Sequence, residues 1–119
     1  NPLSINPIIE SFKKTGRILV VDTGHKTHGI GSEIITQVME QASQFLKASP
    51  ARISLPDHPV PSSRGYIPGL YPDAQKIIEK SAEMLDLSTA IRDKVALALQ
   101  ESLNDLPVDV PDPAFNGPF

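Results

Sequence analysis

The sequence predicts an α/β fold with three α/β/α layers and a mostly parallel sheet. Three observations carry that prediction. Ile18, Leu19, Val20 and Val21 form an unbroken apolar run rich in β-branched residues. Such a run suits a strand covered on both faces, as in parallel sheets. Beyond a glycine-rich turn, Ile35, Val38, Met39, Ala42, Phe45 and Leu46 recur at helical spacing and make one apolar stripe. Residues 52–56 then read as a second short strand, with Ile53 and Leu55 toward the core. A strand, a helix and a strand joined by short links run parallel and cross over right-handedly.

Taken in order, the chain opens with a helix. Ser4 is the expected N-cap, because its hydroxyl can accept from a free first-turn amide. That places Pro7 third in the helix, where a missing N–H costs little. Ile8, Ile9 and Phe12 give this helix its apolar side, Lys13 and Lys14 suit its negative end, and Gly16 ends it in the left-handed conformation. The strand at 18–22 follows at once. Ser32 is the expected cap of the next helix, with Glu33 favoured by the dipole at that end. This helix is expected to reach about Lys47, before Ser49 and Pro50 stop it.

From Pro59 to Tyr71 the chain is irregular, with Pro or Gly every few residues. A loop of that length in a compact domain is usually functional or lies across an interface. Tyr66, Ile67, Leu70 and Tyr71 are apolar enough to pack against something. Pro72 and Asp73 open a third helix, expected over 73–85, with Ile77, Ile78, Ala82 and Leu85 inward. Ser88 can cap a fourth over 89–103, with Ile91, Val95, Leu99 and Leu103 along one side. The tail from Leu106 alternates Pro with Asp and apolar residues, and reads as extended. Two convincing strands are few for four helices. A further strand is therefore expected around 108–110, or else beyond the ends of this sequence.

Composition removes several functions. The 119 residues allow one domain with a modest core. A formal net charge of −3, with scattered Lys and Arg, argues against a nucleic-acid surface. The absence of cysteine excludes a disulfide scaffold, a thiolate metal site and a cysteine nucleophile. No apolar stretch reaches membrane-spanning length.

The turn TGHKTHGIG, residues 23–31, holds Gly24, Gly29 and Gly31 together with His25 and His28. In open α/β sheets, ligands sit at loops leaving the carboxyl ends of strands. The parallel second strand should deliver Asp57 and His58 to the same edge. Glycines there are expected to take positive φ and let the backbone approach another surface. Neutral imidazole and carboxylate could ligate zinc, but this spacing is loose and no metal site is assigned. His25 and His28 are the catalytic candidates, because imidazole titrates near neutrality. The alternative is that both are polar loop residues at a subunit contact. Glu33 reads as a dipole-stabilising residue, and Arg64 as a loop cation able to meet a carboxylate.

Residues 1–85 resemble the carboxyl-terminal domain of the transketolase superfamily, in the version carried by the β subunit of 2-oxo acid dehydrogenase E1 components. The resemblance rests on NPL, then a helix ending in KKTGR, then ILVVD and GHKTHGIGSEI. SLPDHPVPSS and YIPGLYPDAQKII continue it in the same order. It implies two further strands and a helix before the NPL turn. It also implies that the chain is part of a thiamine-diphosphate enzyme that decarboxylates a 2-oxo acid and passes the acyl group to a lipoyl carrier. Thiamine diphosphate and Mg are held by other domains of such enzymes, and no Gly-Asp-Gly motif or P-loop occurs here. The implied partners are the E1 α subunit, a second β subunit and the lipoyl acyltransferase E2, in the cytoplasm or the mitochondrial matrix. On this reading Gly24, His25, His28, Gly29, Gly31, Glu33, Asp57, His58 and Arg64 belong to an interface or substrate entrance, and the chain alone is not expected to be catalytic. Residues 86–119 form an extra helix and a Pro-rich tail beyond the usual end of the domain. The competing reading is a free-standing α/β protein-binding module, or the same domain of a transketolase-like enzyme.

Overall fold

The computed structural model describes residues 3–63 and 69–102. The elements follow in the order α1 (Asn6–Thr15), β1 (Leu19–His25), α2 (Ile30–Ala42), a 3-10 turn (Ser43–Phe45), β2 (Ala51–Leu55), α3 (Ala74–Met84) and α4 (Thr89–Ser102). The class is α/β, as the alternation of apolar runs and stripes requires.

β1 and β2 pair in parallel, with Leu19 opposite Ala51, Val20 opposite Arg52, and Val21 opposite Ile53. The register then breaks, and His25 stands opposite Leu55. The Ala51 amide donates to the Ile18 carbonyl at 3.1 Å and closes the start of the ladder. At its far end the Lys26 amide donates to the Leu55 carbonyl at 2.9 Å. β1 outlasts the apolar run, because pairing resumes at His25 beyond the break rather than ending at Asp22.

One face of this sheet is well covered. Ile9 and Phe12 of α1, Ile18, and Val38 and Ala42 of α2 make one buried cluster. Val20, Ile34, Ile35 and Met39 pack around it. Val21 points to the other face and is 39% exposed, so the run 18–21 is covered on one side only among the described residues. α3 packs against β2, and α4 against α3. The Arg17 Nε donates to the Met84 carbonyl at 2.7 Å, which ties the end of α3 to the approach of β1.

Capping differs from the sequence expectation at two helices. α1 starts after Ile5, without a side-chain cap, and Pro7 lies in its first two positions. Proline already fixes φ there, so Ser4 is not needed. α2 starts after Gly29, three residues earlier than the Ser32 cap would set it. Ser32 instead accepts from Arg52. Gly16 caps as expected, and Asp73, expected as the first residue of α3, is its N-cap. Gly16 is left-handed with φ 68°, and its amide reaches the Phe12 carbonyl at 2.7 Å. Asp73 accepts from the Lys76 amide at 2.8 Å.

The apolar stripes are partly revised. Phe45 and Leu46 are exposed because α2 ends at Ala42 and the 3-10 turn rotates them off the stripe. On α3 the buried residues are Ala82 and Met84, while Leu85 lies beyond the helix and is exposed. Ile91 and Leu97 of α4 are also exposed, since α3 covers only one side of that helix. The expectations for Tyr66, Ile67, Leu103 and a strand at 108–110 lie outside the described residues.

Phe12 and Val38 are the two largest side chains that are fully enclosed. Phe12→Ala should therefore cost about 3–5 kcal/mol, as large-to-small changes at packed aromatic sites do. At Gly16 an added Cβ would collide with the Phe45 carbonyl, on a backbone already left-handed. Gly16→Ala should lose about 1–2 kcal/mol from backbone conformation alone. Denaturant unfolding checks both, and a Gly16→Ala chain as stable as the parent would contradict the capping assignment.

Candidate functional site

The parallel ladder brings the carboxyl ends of β1 and β2 to one edge. His25, Thr27, His28, Asp57, His58 and Pro59 line a single shallow pocket there, with a volume of about 500 Å³. Four of the residues singled out in the sequence, His25, His28, Asp57 and His58, thus meet as the topology requires.

Asp57 holds the two loops together. Its Oδ1 accepts from the Thr27 amide at 2.9 Å, and its Oδ2 from the Thr27 hydroxyl at 2.5 Å. One residue engages both carboxylate oxygens, as backbone and hydroxyl donors commonly do around an Asp in a turn. The Thr27 hydroxyl is the main reason the Asp57 carboxyl lies below its ordinary value, and the Thr27 amide is the next. His25 and Lys26 add smaller attractions. Thr27 was not a candidate from the sequence. Its only signal there is its place in a turn that faces an Asp across a parallel strand pair.

Two imidazoles are oriented by backbone carbonyls. His25 Nδ1 lies 2.9 Å from the Pro56 carbonyl, and His58 Nδ1 lies 3.0 Å from the Pro59 carbonyl. A carbonyl only accepts, so each Nδ1 carries the proton and each neutral ring keeps its Nε2 lone pair for another partner. His28 enters the pocket from a left-handed backbone, φ 59°. That position was expected of a glycine. In this turn Gly24, Gly29 and Gly31 all avoid positive φ and serve close approach instead. A Cβ on Gly29 would strike the His25 carbonyl. Gly31 packs on Val20, Asp22 and Arg52, with an added Cβ 3.2–3.4 Å from their side chains.

A second set of bonds braces the turn from below. Asp22 accepts from the Gly24 amide at 2.6 Å and from the Ser54 hydroxyl at 3.1 Å. Arg52 donates to the Lys26 carbonyl at 2.7 Å and to the Ser32 hydroxyl. β2 therefore supports the β1–α2 turn along its whole length. Glu33 stays outside the pocket. It occupies the first turn of α2 and accepts from Gln37 at 2.6 Å. Arg64 lies outside the described residues.

Chemically, the pocket offers two exposed imidazole acceptors beside an anchored carboxylate. It can receive hydrogen bonds from a partner's donors or, with a ring protonated, bind a carboxylate. Among the described residues, no three His, Cys, Asp or Glu side chains are grouped to hold a metal ion. No described helix is long and apolar enough to cross a membrane.

Because the folded Asp57 carboxyl is more acidic than usual, its bonds to Thr27 contribute fully above the ordinary aspartate value of 3.8. They are lost as the pH falls through the lower folded value. The Thr27 amide resonance should therefore titrate with a midpoint below 3.8, and Asp57→Ala should abolish that titration. A midpoint at or above the ordinary value would contradict the bidentate arrangement.

Residues 1–77 match the family model described as transketolase, C-terminal domain. The chain is 36% identical over 84 residues to the mitochondrial pyruvate dehydrogenase E1 component subunit beta of Chaetomium thermophilum. That alignment covers 71% of this chain and 22% of the relative. It is 33% identical over 78 residues to the pyruvate dehydrogenase E1 component subunit beta of Rhizobium meliloti, covering 66% and 17% of the two chains. Against the same subunit of Rickettsia bellii it is 45% identical over 60 residues, covering 50% and 18%. The chain thus spans about a fifth of the length of these relatives. With 77 of its 119 residues inside the family model, and with a parallel strand pair under helices that carry the matching motifs, the chain belongs to the transketolase C-terminal domain family.

Proposed function

We propose that this chain is the C-terminal assembly part of the E1 β component of a thiamine-diphosphate-dependent 2-oxo acid dehydrogenase. The observation that carries the reading is the family match over residues 1–77, which contains the histidine pocket, together with the E1 β names of the relatives. The whole enzyme would decarboxylate a 2-oxo acid oxidatively and pass the acyl group to a lipoyl carrier. Pyruvate is the substrate that the relatives' names favour.

The part played by this chain is contact. His25, His28, Asp57 and His58 face outward at one edge, and an anchored carboxylate keeps the two loops in register. Such an edge suits the seam with an E1 α subunit or a second β subunit, or the rim of the substrate approach. The Nε2 atoms of His25 and His58 would accept from donors across that seam. α4, packed on α3, would then be an addition to the domain. A role in docking the E2 acyltransferase, and a place in the cytoplasm or the mitochondrial matrix, belong to the same proposal.

The described residues do not fit the cofactor's Mg-diphosphate. They group no three acidic or histidine side chains for a metal, and no buried polar side-chain atom is left without a partner. No chemical step is assigned to them, and in this proposal other domains of the whole enzyme hold the cofactor.

Sedimentation of this chain with the E1 α subunit of the same organism tests the proposal. Association is expected, and the double variant His25→Ala, His28→Ala should weaken it about tenfold, or about 1.4 kcal/mol. Failure of the parent chain to co-sediment would contradict the assembly role. Association unmoved by the double variant would place the seam elsewhere.

A further inference from the structure

β2 has a second edge that the pocket does not use. The Ala51 amide and the Leu55 carbonyl both bond toward β1. Backbone groups alternate along a strand, so Ala51, Ile53 and Leu55 face β1, while Arg52 and Ser54 turn theirs outward. Among the described residues, no element pairs with that outward edge. It opens into a cleft of about 760 Å³ between β2 and α3, continued by a second hollow of about 500 Å³ toward Pro50.

The cleft differs in charge from the rest of the molecule. Lys26, Arg52, Lys76, Lys80 and Arg92 line it. The acids along it are Glu79 and Glu83, so its lining carries a net charge of +3 on a chain whose formal charge is −3. Several of these cations are only lightly committed. Lys80 meets Glu83 in an exposed i,i+3 pair, a kind of contact that holds little energy. The Lys26 ammonium has no partner among the described residues. Arg52 spends one guanidinium nitrogen on the Lys26 carbonyl and Ser32, and its other two make no bond among the described residues. Lys26, Arg52 and Lys80 border both hollows, so the positive charge runs the length of the strand. Leu70 and Pro72 form an apolar wall.

We propose that this cleft is a docking groove for an extended acidic segment of a partner protein, received as a third strand on β2. The open backbone of Arg52 and Ser54 supplies the pairing that strand addition requires. Lys26, Arg52 and Lys80 meet the carboxylates of the incoming strand, and Ile53, Leu70 and Pro72 meet its apolar side chains. The groove lies on the opposite edge of β2 from the strand that leads to the histidine pocket. Arg52 also braces the turn that carries the pocket, and peptide binding at the Arg52 and Ser54 amides is read separately from subunit association.

The test uses the full chain and two synthetic peptides, acetyl-Asp-Val-Asp-Val-Asp-amide and its counterpart with Lys for every Asp. The acidic peptide should shift the Arg52 and Ser54 amide resonances saturably and slow their hydrogen exchange, and the basic one should not. Lys26→Gln and Lys80→Gln should each weaken binding about two- to five-fold, as loss of one exposed charge contact does. Neither variant removes a core contact. The proposal is overturned if the acidic peptide gives no saturable shift, or if both peptides act alike. It is equally overturned if inorganic phosphate alone reproduces the amide shifts, since the cleft would then be a small-anion site.

Discussion

The parallel pairing of β1 with β2 is the constraint on which the rest of the molecule depends. It fixes which residues lie side by side at the carboxyl edge, and so which side chains can share a pocket. The pairing is short, and a ladder of this length does not stand alone in water. It persists because α1 and α2 cover one face with Phe12, Val38 and Ala42 fully enclosed or nearly so. Burial of this kind contributes about 1.5–3 kcal/mol for each large side chain, well above the net value of a single hydrogen bond. Packing decides that the strands pair, and hydrogen bonds decide in which register.

Register then becomes chemistry through a few polar side chains. Asp22 bonds its own turn and Ser54 of the neighbouring strand. Arg52 reaches from β2 to the Lys26 carbonyl and to Ser32 at the start of α2. Asp57 closes the top by taking both donors of Thr27. Together these bonds explain why so exposed a loop holds a left-handed His28 in place. A residue other than glycine in that conformation needs its surroundings to hold it there.

Much of this was legible from sequence. The apolar run 18–21, the stripe through Val38 and Ala42, and the Gly16 cap all follow from periodicity and termination rules, as does the start of α3 near Asp73. The meeting of His25 and His28 with Asp57 and His58 follows from one further step, the parallel crossover. What escaped was local geometry set by tertiary partners. Ser32 looks like a cap, yet the Arg52 guanidinium claims its hydroxyl, and Gly29 starts the helix instead. Phe45 and Leu46 fit the stripe by spacing, but spacing cannot foresee the 3-10 turn that follows Ala42. Thr27 carried no local signal because its partner lies 30 residues away. Nor could periodicity show which edge of β2 stays open.

The geometry of the histidine edge suits the subunit contact proposed for it. The pocket lies within the segment matched by the family model, and its outward imidazoles are braced rather than buried. A braced, exposed polar edge is what a contact between subunits uses, because little ordering remains to be done on binding. Hydrogen–deuterium exchange on the assembled E1 enzyme tests this most directly. Assembly should slow exchange in residues 23–31 and 56–59 together, while the exposed turns of α4 exchange as before. Unchanged exchange in both loops would contradict the account, because the edge on which it rests would then face solvent in the complete enzyme.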